Sequence, residues 1–173
     1  MASIGHVAIG MAAGRAFSTD PKTARRAMFV LSAISLWPDI DAVGFLIGIP
    51  YGASLGHRGA THSIAVALFV GLASYVYAQR KGLAPKRTAE IVTLVAVSHP
   101  LLDTMTYGGG YGCALFWPFS DERFWSPLRF IPIAPIGLRL LSARGLTVMA
   151  AEVVIFSPFF AYALWPRRKP KPS

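Results

Sequence analysis

The sequence predicts an all-α protein, a helical membrane bundle of about four spanning helices preceded by a short N-terminal helix, and three observations carry that expectation. Of the 173 residues, 54% are apolar and only 14% charged, with a mean hydropathy of +0.49, against about 45–50% and about 25% in ordinary soluble chains. Four apolar runs approach the roughly 20 residues that a bilayer crossing needs. The positive charges are gathered mainly into short clusters between those runs. The same composition excludes disorder, which needs low hydrophobicity and high charge. A single cysteine, Cys113, excludes an intramolecular disulfide and a cysteine-based metal cluster.

Residues 1–17 carry no basic residue ahead of their apolar stretch, which His6 interrupts, so they read as a short retained helix rather than a removable signal peptide. Ser3 is its candidate N-cap. The expected spans are residues 27–49, 63–78, 89–107 and 146–165. The second carries no charge. The others hold Asp39 and Asp41, then Glu90, His99 and Asp103, then Glu152, and ionisable groups at membrane depth usually face an interior site. Between the last two spans, residues 108–145 open with Gly108, Gly109 and Gly110 and contain Pro118, Pro127, Pro132 and Pro135. That composition forbids long regular elements and predicts a structured loop with interfacial aromatics. Residues 1–165 form one domain on this reading, and residues 166–173 a basic solvated tail.

Seventeen Lys and Arg against eight Asp and Glu leave a formal charge of +9. Twelve of the 17 fall in three clusters: Arg15, Lys22, Arg25 and Arg26; Arg80, Lys81, Lys86 and Arg87; Arg167, Arg168, Lys169 and Lys171. No helix presents a basic stripe with interleaved aromatics, so the surplus points to membrane flanks and lipid partners, not to nucleic acid. Under the positive-inside rule the loop around residues 80–87 and the C-terminus are cytoplasmic, and residues 108–145 lie outside. Multi-pass insertion in a bacterial inner membrane is the location this pattern predicts.

Counting about 1.5 Å of rise per residue from the cytoplasmic end of each segment places His6, His99, Asp39, Asp103, Glu152 and His62 about 14 to 26 Å deep. Residues remote in sequence thus share one band. A bound divalent cation would neutralise their carboxylates and give the imidazoles a partner. His99 and Asp103, at i and i+4, project from one helical face. In Trp37-Pro38-Asp39-Ile40-Asp41 the proline breaks a helix and two carboxylates can converge on a cation, although Asp39 could equally cap the following turn. His57-Arg58-Gly59-Ala60-Thr61-His62-Ser63 offers two imidazoles and a guanidinium for an anionic substrate. Arg58 could alternatively snorkel to headgroups, and Glu152 either joins the ligands or pairs with Arg144. Asp121 and Glu122 read as turn residues.

These blocks, in the order His6, Pro38-Asp39-Ile40-Asp41, His57 to Ser63, His99-Pro100-Leu101-Leu102-Asp103 and Trp117-Pro118-Phe119-Ser120, cover nearly the whole chain. The set resembles the YdjM-like family of bacterial inner-membrane proteins, described as metal-dependent hydrolases. That family is distantly similar to the all-helical zinc-dependent phospholipase C and nuclease superfamily. The resemblance implies that Asp41 with Asp39, His62, His99 and Asp103 hold one metal and His6 a neighbouring one. The chain has no histidine after His99, which leaves Glu152 as the replacement for later ligands in that superfamily.

The expectation is a membrane hydrolase in which one or two ions, zinc first among them, activate water on a phosphoester or lipid-linked substrate. The candidate ligands are His6, Asp39, Asp41, His57, His62, His99, Asp103 and Glu152. Whichever of Asp39 and Asp41 is free of the metal serves as general base, and Arg58 clamps the anion. The alternatives are a metal or proton transporter built on the same cluster and a membrane protein that uses metal for folding alone.

Overall fold

The computed structural model describes residues 3–166. The basic tail predicted for residues 166–173, with Arg167, Arg168, Lys169 and Lys171, lies outside the described residues from position 167 onward. The architecture is mostly helical: α1 (Ile4–Phe17), α2 (Pro21–Leu36), α3 (Ile64–Arg80), α4 (Pro85–Thr104), α5 (Ala143–Ile155) and α6 (Ser157–Leu164). Two strands of two residues each, Thr106–Tyr107 and Ile131–Pro132, pair in parallel and tie the start of the long connection after α4 to its later part. As its composition predicts, that connection holds no long element, only 3₁₀ turns such as Gly137–Leu141 and an isolated bridge between Cys113 and Phe124.

α1 and α2 form a tight antiparallel pair, and the reason is in the sequence. Gly10 and Gly14 are one turn apart, and a Cβ at either would collide with the backbone of α2 at Leu31–Ser32 or Ala27–Met28. Small residues at this spacing let helices approach backbone to backbone. Asp20 caps α2, its carboxylate accepting from the Thr23 N–H at 2.7 Å, and Pro21 opens the helix. At the far end Pro38 ends the α-helix, as expected, and the chain tightens into a 3₁₀ helix, Trp37–Ile47. Ser63 caps α3 through the Val66 N–H at 3.1 Å. Ser3 precedes α1 but gives no side-chain cap; its hydroxyl donates instead to Asp39 Oδ2 at 3.4 Å.

The continuous stretch Pro21–Ile47 is long and apolar enough to cross a membrane. The run expected as a single helix over residues 146–165 is broken at Phe156 into α5 and α6, which meet at 61°. Pro158, in the first turn of α6, cannot donate to the turn before it and stops α5 from continuing. The bent pair counts as a second crossing only if it forms one span. α3, at 17 residues, is apolar but shorter. α4 passes through Pro100 without ending.

The distribution of side chains is inverted relative to a soluble fold. Phe29, Leu46, Phe69, Leu72, Leu94 and Val154 are all more than half exposed, whereas His6, His62, His99, Asp103, Arg58 and Glu152 are buried. Apolar outer faces of this extent mark contact with lipid or a partner, and buried ionisable groups mark an internal site.

Candidate metal centre

Four elements deliver the polar residues to one place. The 3₁₀ turn after Pro38 brings Asp39 and Asp41, the turn Ala60–His62 brings His62, the last turns of α4 bring His99 and Asp103, and the first turn of α1 brings His6. One donor atom each from Asp39, His62, His99 and Asp103 lies within 4.8 Å of every other. His62 Nε2 and His99 Nε2 face each other at 3.0 Å. Asp39 Oδ1 is 3.7 Å from the first and 3.5 Å from the second, and Asp103 Oδ2 is 3.5 and 3.9 Å from them. A tetrahedral ion with bonds of about 2.0–2.1 Å has ligand atoms about 3.3 Å apart, so these separations fit one.

Hydrogen bonds behind the site fix the tautomers. His99 Nδ1 meets the Ser35 carbonyl at 2.6 Å and must donate to it, leaving Nε2 a bare lone pair. His62 Nδ1 meets Asp41 Oδ2 at 3.0 Å and is fixed the same way. Two lone pairs and two carboxylates therefore converge on one point, an arrangement that repels itself unless a cation sits between them. The donor set of two imidazoles and two carboxylates fits a borderline divalent ion such as zinc.

Asp41 stands behind this set. Its Oδ1 lies 2.6 Å from His57 Nδ1, and its Oδ2 also accepts from Thr61 Oγ1 at 2.5 Å and from the Arg58 backbone N–H at 3.1 Å. Both oxygens are thus committed to neighbours. Arg58 is buried, which rules out snorkelling to headgroups, and is held at φ 64, a left-handed conformation uncommon for a residue with a side chain. Its Nε lies 3.1 Å from Asp103 Oδ2, and Nη1 donates to Thr106 Oγ1 and the Tyr111 carbonyl, each at 3.1 Å. His6 stacks on His99 with ring centres 3.7 Å apart and has Nε2 3.4 Å from Asp103 Oδ1. Neither His6 nitrogen has a hydrogen-bond partner of good geometry among the described residues. Glu152 is not one of the four converging residues; its Oε2 accepts from the Gly5 N–H at 3.1 Å, placing a carboxylate at the start of α1, where the helix dipole favours it. Arg144 reaches the Gly108 carbonyl at 3.5 Å.

A cleft of about 670 Å³ opens onto Asp39, His57 and Arg58. Among the four converging residues, only Asp39 shows appreciable side-chain exposure, at 28%. Tyr51, in the loop on one wall, keeps its proton, since burial pushes its hydroxyl up to about 12. Sequence reasoning had not singled out Thr61, Thr106 or the Ser35 carbonyl. Thr61 lies inside the His57–Ser63 block and could have been found as a bridge between Asp41 and His62; the backbone carbonyl left no sequence signal at all.

A polar centre buried among helices whose outer faces are apolar defines a membrane protein class. The chain matches the family model for the YdjM inner membrane protein over residues 1–169, and it belongs to that family. It is also 36% identical over 151 residues to the inner membrane protein YbcI of Escherichia coli K12, covering 83% of this chain and 86% of that one. No solved structure matches it. Family and relative agree on the inner membrane as the location.

Proposed function

We propose that the protein is a membrane-embedded metal-dependent hydrolase acting on a phosphoester or lipid-linked substrate. The observation that carries this reading is the approach of His62 Nε2 and His99 Nε2 at 3.0 Å, each with its other nitrogen committed to an acceptor. Asp39, His62, His99 and Asp103 would hold one divalent ion, zinc by donor chemistry, with His6 beside Asp103 as a further donor. When bound, the ion supplies Lewis acidity and lowers the pKa of water.

The chain's own residues divide the remaining work. Asp41 orients His62 and His57 through its two oxygens, so the two aspartates after Pro38 divide into Asp39 on the ion and Asp41 behind it. His57, held by Asp41 at 2.6 Å and bordering the cleft, is placed to take a proton at Nε2. Arg58 braces Asp103 and, as a lining residue of the cleft, would bind an anion there.

In the bilayer, we place α2 with its 3₁₀ extension, α3, α4 and the α5–α6 pair as the four crossings, with the C-terminus cytoplasmic. Two contacts support a common basic end: Arg15 donates to the Ala163 carbonyl at 3.2 Å, and Arg87 to the Ala16 carbonyl at 3.2 Å. The test is metal analysis of detergent-purified protein, followed by hydrolysis of model phosphoesters and ion flux into proteoliposomes. Stoichiometric metal with turnover and no flux is the expected result. Protein that neither carries nor takes up metal would overturn it, and flux without turnover would favour a transporter.

A further inference from the structure

The cleft beside the centre, about 670 Å³, has room for more than a single phosphoryl group, and its charged residues come from separate parts of the chain. Asp39, His57 and Arg58 tie the cleft to the centre through His62, Asp41 and Asp103, whereas Arg139 and Arg144 line it from the connection between Ile131–Pro132 and α5. Asp39 is the single carboxylate among the lining residues, against three arginines. The two sets of arginines differ in what already holds them. Arg58 is tied to Asp103, Thr106 and Tyr111. Arg144 makes only a long contact, 3.5 Å to the Gly108 carbonyl, and Arg139 has no side-chain acceptor among the described residues. Both guanidiniums keep most of their donors available.

The backbone on that side is also rich in donors. Gly108, Gly109 and Gly110 run at φ 101, 127 and 79, and none of their N–H groups has a backbone acceptor among the described residues. They line the same cleft, with Arg144 Nη2 near the point where a Gly108 side chain would begin. The same cleft has an apolar lining from Ile133, Pro135, Ile136 and Leu140.

We infer that the cleft takes an amphiphile with two adjacent anionic groups, a lipid diphosphate in chemical class, with Arg139 and Arg144 binding the group farther from the metal centre. This rests on the hydrolase reading for the nearer group only. Planar guanidiniums bind two phosphate oxygens together, which is the geometry a second phosphate offers. The apolar wall accommodates the first carbons of the chain as it leaves for the bilayer.

The experiment uses purified full-length protein in detergent, with inorganic phosphate, inorganic pyrophosphate and decyl diphosphate as probes in binding calorimetry, and metal content measured on the same samples. Wild type should bind pyrophosphate about tenfold or more tighter than phosphate. The double variant Arg139→Ala/Arg144→Ala should lose that preference while keeping its metal and its phosphate affinity. A preference that survives in the double variant, or is missing from metal-loaded wild type, overturns the inference and leaves the hydrolase reading standing. Metal-free protein that still prefers pyrophosphate through these arginines would do the reverse. Tighter binding of decyl diphosphate than of pyrophosphate identifies a lipid as the source of the diphosphate; equal or weaker binding overturns the lipid assignment.

Discussion

His99 and Asp103 share one turn of α4 and meet His62 and Asp39 across the bundle, so removing either should open the ligand set. We expect His99→Ala to lose most bound metal, while Asp121→Ala, at an exposed position outside the converging set, keeps wild-type content by elemental analysis. Asp103→Ala should lose metal too, but it also leaves Arg58 buried without its carboxylate, which costs about 3–5 kcal/mol when a buried pair is broken from one side. His99→Ala is therefore the cleaner variant, and retention of metal in it would remove the assignment. Asp41 makes a different prediction because it stands behind His62. Asp41→Asn keeps the shape but weakens the acceptor that fixes the imidazole, so metal affinity should fall about 10–100-fold without vanishing. Competition with a chromophoric chelator measures this, and an unchanged affinity would show that Asp41 does not hold His62. The i, i+4 pair in α4 and the two aspartates after Pro38 were legible in the sequence because spacing along one helix or turn fixes direction. The division of labour between Asp39 and Asp41 was not, because it depends on which carboxylate meets the Nδ1 side of a histidine from another element.

At the scale of elements, the pairing of α1 with α2 sets the distance between His6 and the turn that carries Asp39. Gly10→Leu would force the α2 backbone near Ser32 outward, and overpacking of this kind costs about 1–3 kcal/mol. We expect a lower unfolding temperature in detergent together with reduced metal retention, since the ligand-bearing end of α2 moves with its helix. An unchanged melting profile would mean that the two helices are not in backbone contact. Gly10 and Gly14 were visible as a spaced pair of small residues, yet a helix start judged on its cap alone gave no reason to look for a partner. The break at Phe156 escaped for a related reason. Hydropathy averages over a window and registers an apolar run, while Ser157-Pro158 acts on backbone donors and redirects the chain by 61° without changing that average.

For the whole molecule, the proposed topology predicts that reporters fused after Arg80 and at Ser173 report the cytoplasm and that one within residues 108–112 reports the outside. The three basic clusters motivate the orientation, and an external C-terminus would overturn it. The long connection between α4 and α5 was readable as irregular from its glycines and prolines. That it folds back to make one wall of the cleft was not, because that placement comes from the pairing of Thr106–Tyr107 with Ile131–Pro132, two residues on each strand. The unequal exposure of the ligands has a kinetic consequence. Of the four converging residues, His62, His99 and Asp103 are sealed from solvent and only Asp39 lines the cleft, so on the proposed reading ion and substrate would share a doorway. On that reading, loading would be ordered, ion first and substrate second, and departure would run in the opposite order. A chelator should therefore strip the ion more slowly as pyrophosphate fills the cleft, at unchanged chelator concentration, turning the occupant into a latch on its own cofactor.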